Sequence, residues 1–282
     1  LKGKARSKWL AYNMGMRSAV FDQWLKQQMD LDSGAVIVTG ETSRKENART
    51  VLHSLSQIAG DFVVATAGPD LESVLAAKGA GAVDFSAQSG KTVLHMDIGG
   101  GTSNLALIED GKILRTGCLN VGGRLVKLEQ GRVCYLSPVL EGLTDIEIGI
   151  PPQSGKIEEL AELLTAALEM AAGLRPADER LCRFMTEEIT APWEIPKERP
   201  VISFSGGVAD CIDQAQPWLA FGDMGPILGQ AIRRSELCRQ EYRLGQETIR
   251  ATVIGAGCHS TQLSGSTVYS QNVAFPLKNL PV

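Results

Sequence analysis

Met96-Asp97-Ile98-Gly99-Gly100-Gly101-Thr102-Ser103-Asn104 decides how this chain is read. An apolar run, Thr92-Val93-Leu94-His95-Met96, leads into it and delivers one carboxylate to three consecutive glycines. Glycine tolerates positive φ and puts no Cβ in the way of an anion, so the turn has the size and the open N–H groups for a phosphate. Asp97 at the strand end is placed for Mg2+ or its bound water, and the hydroxyls of Thr102 and Ser103 add donors for phosphate oxygens. Beyond the turn the chain resumes as Asn104-Leu105-Ala106-Leu107-Ile108, breaks at Glu109-Asp110-Gly111 and returns as Lys112-Ile113-Leu114-Arg115. This is the pattern of a β-hairpin turned by Asp-Gly. The order strand, glycine turn, strand separates it from dinucleotide fingerprints and P-loops, in which the glycine turn opens a helix. A tight hairpin without a ligand is the competing reading of Gly99, Gly100 and Gly101 taken alone.

Two later junctions repeat the logic. Residues 200–209 are an apolar strand that runs out into Ser205-Gly206-Gly207, with a helix expected through Cys211 and Ile212. A flat ring fits against bare backbone at such a glycine pair, and close helix–strand packing is the alternative. Residues 250–257, Arg250-Ala251-Thr252-Val253-Ile254-Gly255-Ala256-Gly257, read as a strand passing into small residues that let another element cross closely. Gly122-Gly123 reads as a structural bend. Gly90-Lys91-Thr92 imitates the end of a P-loop, but Phe85 stands where that motif requires glycine, and a strand follows instead of a helix.

The 282 residues, 44% of them apolar, suit one large or two medium domains with an ample core. A net charge of −4 without a basic patch argues against nucleic acid as a partner. No apolar run reaches the roughly 18 residues of a membrane span, so no membrane partner is expected. The basic opening is not followed by the apolar stretch of a signal peptide, and a cytoplasmic location is expected. Cys118, Cys134, Cys182, Cys211, Cys238 and Cys258 include no C-x-x-C pair, and His53, His95 and His259 have no metal-ligand spacing. His95 shares a strand face with Asp97 by the period of two and reads as a hydrogen-bonded core residue.

Taken in order, residues 21–29 form an amphipathic helical run and 35–39 a buried strand. A capping box at Ser43-Arg44-Lys45-Glu46 opens a helix over roughly 46–59, residues 62–67 form the next strand, and Gly68-Pro69-Asp70 starts another helix. Alternating strand and helix imply parallel pairing and an α/β layer. Gly79-Ala80-Gly81-Ala82 and the polar residues 86–91 mark a boundary between residues 1–90 and 91–282. Irregular strands are expected to Ile150. The stripe Ile157, Leu160, Leu164, Ala167, Leu168 and Ala171 makes a long helix ending before Gly173, Asp223-Met224-Gly225-Pro226 opens a further helix, and residues 261–269 read as a closing hairpin.

Asp97-Ile98-Gly99-Gly100-Gly101-Thr102, Ser205-Gly206-Gly207-Val208 and Val253-Ile254-Gly255-Ala256-Gly257, in that order, resemble the second phosphate loop, the adenosine loop and the second connecting segment of the actin, Hsp70 and sugar-kinase ATPase fold. Residues 37–42, 60–69, 118–125, 250–257 and 263–267 with 276–281 more closely resemble the ethanolamine ammonia-lyase reactivating factor family, the likeness covering roughly residues 35–282. The resemblance implies an α/β, actin-like ATPase (ribonuclease H-like) fold of two lobes, with residues 1–90 a partial first lobe and 91–282 the second. It implies an ATP-dependent chaperone, with ATP and Mg2+ as cofactors. Its partner would be ethanolamine ammonia-lyase, from which it releases damaged cobalamin so that adenosylcobalamin can rebind, in the cytoplasm and in association with a bacterial microcompartment. By the same resemblance Asp97 takes the Mg2+ or its water, Gly99 to Thr102 with Ser103 cradle phosphate, Gly206 and Gly207 wall the adenosine, and Gly255 packs on the hinge side. No Asp-x-Gly-Thr hairpin precedes Ala35, so the first lobe is expected to be truncated. A small-molecule kinase with Asp97 as base and a non-enzymatic actin-like assembly module stay open as alternatives, as does a homo-oligomer.

Overall fold

The computed structural model describes residues 34–38, 62–66, 68–176, 178–186, 199–217 and 220–264. The helices expected over 21–29 and 46–59, and the second strand of the expected closing hairpin, lie outside these residues. The chain divides into two compact units, Leu1–Gly68 with Ala256–Val282, and Pro69–Gly255. In the first, β1 (Gly34–Val38) and β2 (Phe62–Thr66) pair in parallel with Gly34 opposite Phe62 and Val38 opposite Thr66. That is the pairing expected of two strands separated by a crossover.

The second unit opens with helices α1 (Pro69–Gly79) and α2 (Ala82–Ser89). The hairpin follows as β3 (Val93–Ile98), β4 (Ser103–Glu109) and β5 (Lys112–Leu119). Its second turn carries Asp110 and Gly111 at φ 48 and 72, the pair of left-handed residues that an Asp-Gly hairpin turn demands. A small antiparallel hairpin, β6 (Val126–Glu129) and β7 (Arg132–Leu136), precedes the long helix α3 (Ser154–Ala171), which Gly173 follows at φ 68. After a short α4 (Glu179–Cys182) come β8 (Val201–Ser205), α5 (Asp210–Asp213), α6 (Gly225–Arg234), α7 (Glu236–Arg239), β9 (Tyr242–Leu244) and α8 (Ala251–Ser264).

One five-stranded sheet, ordered β5-β4-β3-β8-β9, organises this unit, with β3 antiparallel to β4 and parallel to β8. All six residues of β3 are buried because both sheet faces are covered, which is why its sequence runs almost continuously apolar. Leu94, Met96, Ile98, Leu105, Ile202 and Phe204 face a core completed by α3 and α6 through Ile157, Leu164, Leu168, Leu228 and Ile232. Val93, Ala106, Ile108 and Val201 face the opposite side, where Ala77 of α1 and Ala82 of α2 close over them.

Three expectations change. The polar residues 86–91 are not a bare linker: α2 runs to Ser89 between Gly81 at φ 72 and Gly90 at φ 66, and Ala82 packs on the sheet. Residues 251–264 are helix, so the strand expected at Thr252-Val253-Ile254 and the hairpin strand expected at Thr261-Gln262-Leu263 do not form. β-branched residues favour strands only weakly against tertiary context. Here the context is a helix crossing in which backbone touches backbone: a Cβ on Gly79 would lie 1.8 Å from the Ala251 carbonyl oxygen, and one on Gly255 would lie 1.8 Å from that of Leu75. Among the described residues no helix is long and apolar enough to cross a membrane, and the described cysteines form no disulfide.

Candidate functional site

Parallel strands β3 and β8 end side by side, and the crevice beyond such carboxyl ends is where α/β sheets place ligands. The strand register brings the chemistry together. Asp97, the penultimate residue of β3, lies between Asn104 of β4 and Ser205 of β8. Residues directly opposite share a face, so a carboxylate, an amide and a hydroxyl stand in one row. His95 and Ser203 stand opposite one another in the next row down.

Asp97 is buried, and removal from water pushes its carboxyl above the usual carboxylate range. Ser205 donates to Oδ1 through a short hydrogen bond, and Thr252 of α8 donates to Oδ2 over 3.4 Å. Both bonds pull the other way, but burial prevails. His95 bridges Ser203, with Nδ1 3.1 Å from its hydroxyl, and Ser205, with Nε2 3.0 Å from its hydroxyl. Burial first and the Arg243 guanidinium second hold the His95 imidazole neutral, down to about 3. Arg243 itself stacks over the Phe85 ring at 4.1 Å. The expected hydrogen-bonded core histidine is thus found, and it is tied to Asp97 through Ser205.

Between pH 6.5 and 5 an unfolded chain protonates this imidazole while the folded one does not, so the group contributes stability at neutral pH that is lost progressively on acidification. The loss by pH 5 should be about 2 kcal/mol. Urea midpoints measured across that range should fall less steeply for His95→Gln, and parallel slopes would refute the assignment.

The glycine turn is locked from three sides. Gly99 N–H donates to Thr102 O at 2.9 Å, and Gly123 N–H and Arg124 N–H donate to the carbonyls of Gly99 and Gly100 at 3.0 and 2.6 Å. A Cβ on Gly122 would meet Gly100 O at 2.4 Å, so the bend expected at Gly122-Gly123 exists to press on the turn. Gly206, at φ 86, sits against the Ile98 carbonyl, which also accepts from Val208 N–H at 3.2 Å. Gly207 beside it is exposed. Among the described residues the N–H groups of Gly100, Gly101 and Gly207 meet no acceptor.

Asp97 at the end of β3 therefore lies beside the two adjoining loops that follow β3 and β8, which carry Gly99, Gly100, Gly101, Thr102, Gly206 and Gly207. Ser103 does not join this group: strand alternation turns it to the Ile98 face, where its hydroxyl donates to Val121 O at 2.7 Å. Gly255 lies beneath, at the crossing with α1. The sequence reading missed Ser205 and Thr252, which hold Asp97, and Arg124, whose side chain lies along Gly100 while pairing with Asp223 at 3.3 Å. It also missed Asn104, whose Oδ1 is buried and meets no donor among the described residues. Alternation from Asp97 and the hairpin turn would have placed Asn104 opposite it; the other three need the tertiary fold.

An orphaned buried amide oxygen beside a buried carboxylate, under unpaired glycine N–H groups, is the composition of a hard-cation and anion site. Among the described residues no cluster of three or more His, Cys, Asp and Glu side chains stands ready to hold a metal, so such a cation would need oxygen from a ligand or water as well. Among known proteins, the family described as "Ethanolamine utilisation protein EutA" matches residues 15–282. The chain belongs to the EutA family. The ethanolamine ammonia-lyase reactivase EutA of Salmonella typhimurium is 42% identical over 274 residues, covering 89% of this chain and 55% of the relative. The Escherichia coli protein of the same name is 41% identical over 265 residues, with the same coverage. The chain thus spans about half the length of these EutA relatives. Among solved structures, the Aquifex aeolicus Ppx/GppA family member superposes with a TM-score of 0.50 at 12% identity, over 88% of this chain and 81% of that one. The fold is that of the actin-like ATPases, as the three glycine junctions imply.

Proposed function

We propose that this EutA chain supplies the nucleotide site of an ATP-dependent chaperone that reactivates ethanolamine ammonia-lyase by releasing damaged cobalamin, so that adenosylcobalamin can rebind. The 69–255 unit would carry the phosphate and adenosine loops of the second lobe, and β1 and β2 would belong to the first. The reactivase names of the two relatives support the partner. The observation that carries the nucleotide reading is the orphaned Asn104 Oδ1 beside Asp97, beneath the unpaired N–H groups of Gly100 and Gly101.

The residues fit a magnesium nucleotide. Asp97 and Asn104 offer oxygen to the cation or its water shell, Gly100, Gly101 and Thr102 offer donors to phosphate, Arg124 adds positive charge, and the exposed backbone of Gly207, next to the packed Gly206, offers a wall to the adenosine. The magnesium nucleotide would supply the phosphoanhydride bond and a metal-positioned water. The chain's own part is orientation and electrostatics: rigid loop N–H groups aimed at charge need no reorganisation when that charge grows. Two loops interlocked at Ile98 give binding a route to bias the sheet-end geometry, the differential contact that a population shift in a partner requires.

Calorimetric titration with Mg-ATP tests the site, and restoration of cobalamin-inactivated lyase by the full-length protein with Mg-ATP tests the activity. Asn104→Leu should weaken Mg-ATP binding by about tenfold. It should leave stability equal or higher, because it deletes an unsatisfied buried polar group. Unchanged affinity would remove Asn104 from the site.

A further inference from the structure

With Asp97 ionised, the state a cation site requires, the polar groups behind it form a file with one consistent hydrogen-bond direction. Ser205 owns a single hydroxyl proton and donates it to Asp97 Oδ1. Its oxygen must then accept from the neighbouring ring nitrogen 3.0 Å away, which requires the proton of His95 on Nε2. Nδ1 is left bare and must accept from the Ser203 hydroxyl at 3.1 Å. His95, Ser203 and Ser205 are fully buried, so no bulk water can substitute for a missing partner. Every polar atom in the file is satisfied when the donors run Ser203 to His95 to Ser205 to Asp97, ending on an ionised carboxylate. Oδ1 is engaged from behind. Among the described residues, Oδ2 is left with only the long Thr252 contact.

We propose that Ser205 is a positioning residue for Asp97, and that His95, as the neutral Nε2–H tautomer, positions Ser205, so that the file presents Oδ2 of Asp97 to a divalent cation. This rests on the magnesium-nucleotide reading given above. The register makes it possible: Ser203 and Ser205 stand opposite His95 and Asp97 in parallel strands, so the four groups are fixed by two backbones and need no loop to hold them. Partners behind a metal-binding carboxylate set its orientation and basicity, and their removal costs about 10–100-fold in metal affinity.

Calorimetry with Mg-ATP should be run on the wild-type chain, Ser205→Ala, His95→Gln and His95→Leu, with nitrogen-detected NMR of the imidazoles in the Mg-ATP complex. Ser205→Ala should bind about tenfold more weakly or worse, and His95→Leu should approach that loss. His95→Gln keeps a donor toward Ser205 and should stay within about threefold of wild type. The His95 signals, identified by their loss in His95→Gln, should show a protonated Nε2 and a bare Nδ1. Equal affinities for wild type and Ser205→Ala, equal affinities for the two His95 variants, or a proton on Nδ1 would each overturn the positioning role while leaving the nucleotide site standing. No binding by the wild-type chain would instead bring down the nucleotide reading, and the proposal with it.

Discussion

Gly255→Ala is expected to destabilise the 69–255 unit by about 3 kcal/mol or more, a large share of the roughly 5–15 kcal/mol that a domain has. The new methyl would sit 1.8 Å from the Leu75 carbonyl oxygen, a backbone atom that cannot rotate away. Relief requires α1 and α8 to separate, and α1 is anchored by Ala77 against the β3 and β4 face. Gly131→Ala makes the matched control. That glycine holds φ 74 in the β6–β7 turn with nothing within 4 Å of the added methyl, so it should cost only about 1 kcal/mol of backbone strain. Urea midpoints of the two variants measure the contrast directly. If Gly255→Ala proves no worse than Gly131→Ala, the two helices do not cross backbone to backbone.

Asp97→Asn should separate stability from binding. The Asp97 carboxyl is raised above its ordinary value by burial. The protonated form is therefore favoured in the folded state, and its contribution is full below the unfolded value near 3.9. It is lost as pH rises through the folded value. The neutral amide escapes that loss, so Asp97→Asn should match wild type near pH 4 and exceed it in urea midpoint at pH 8 when no Mg-ATP is present. The same substitution removes the charge that attracts the cation and should weaken Mg-ATP by about 2 kcal/mol or more, roughly thirtyfold. Ligand that binds only the folded state adds stability in proportion to its occupancy. Saturating Mg-ATP should therefore narrow the stability gap or reverse it. A variant that is less stable at pH 8 yet binds normally would contradict both the buried-charge argument and the site.

The two substitutions probe different layers of one design. Asp97 is costly to bury, and Ser205, Thr252 and the bounding strands hold it in place despite that cost. Groups shifted in this way cluster at functional sites. The glycine positions carry the complementary burden: Gly122, Gly206 and Gly255 have no side chain because another backbone occupies the space, which lets two loops and two helices interlock around a carboxylate that belongs to neither loop.

Much of this was written in local pattern. The carboxylate-glycine turn, the Asp-Gly hairpin and the long α3 stripe follow from periodicities of 2 and 3.6 and from turn chemistry, all set by near neighbours in the chain. The role of His95 as a core residue, and the false P-loop at Gly90-Lys91-Thr92, were also readable; Lys91 instead pairs with Glu241 at 2.7 Å. What the chain order could not carry is which distant groups share a row. Ser205 lies 108 residues from Asp97 and Thr252 lies 155 away. Only sheet register and helix docking bring them to one carboxylate.

The same division explains the misread segment. Thr252-Val253-Ile254 has the β-branched composition of a strand, and short apolar runs do not reveal their period. The residues are helical because Ala251 and Gly255, four apart, fall on one helix face, where backbone contact with Leu75 and Gly79 is available only in that conformation. Ser103 shows the converse: its hydroxyl suited a phosphate loop, but its place one residue before Asn104 put it on the other face of β4, bonded to Val121. Sequence by itself determined the hairpin, the long helix and the strand end that carries Asp97, because those depend on residues close in the chain. Tertiary structure decided which side chains surround that carboxylate, because the contacts that orient it join strands and a helix more than 100 residues apart.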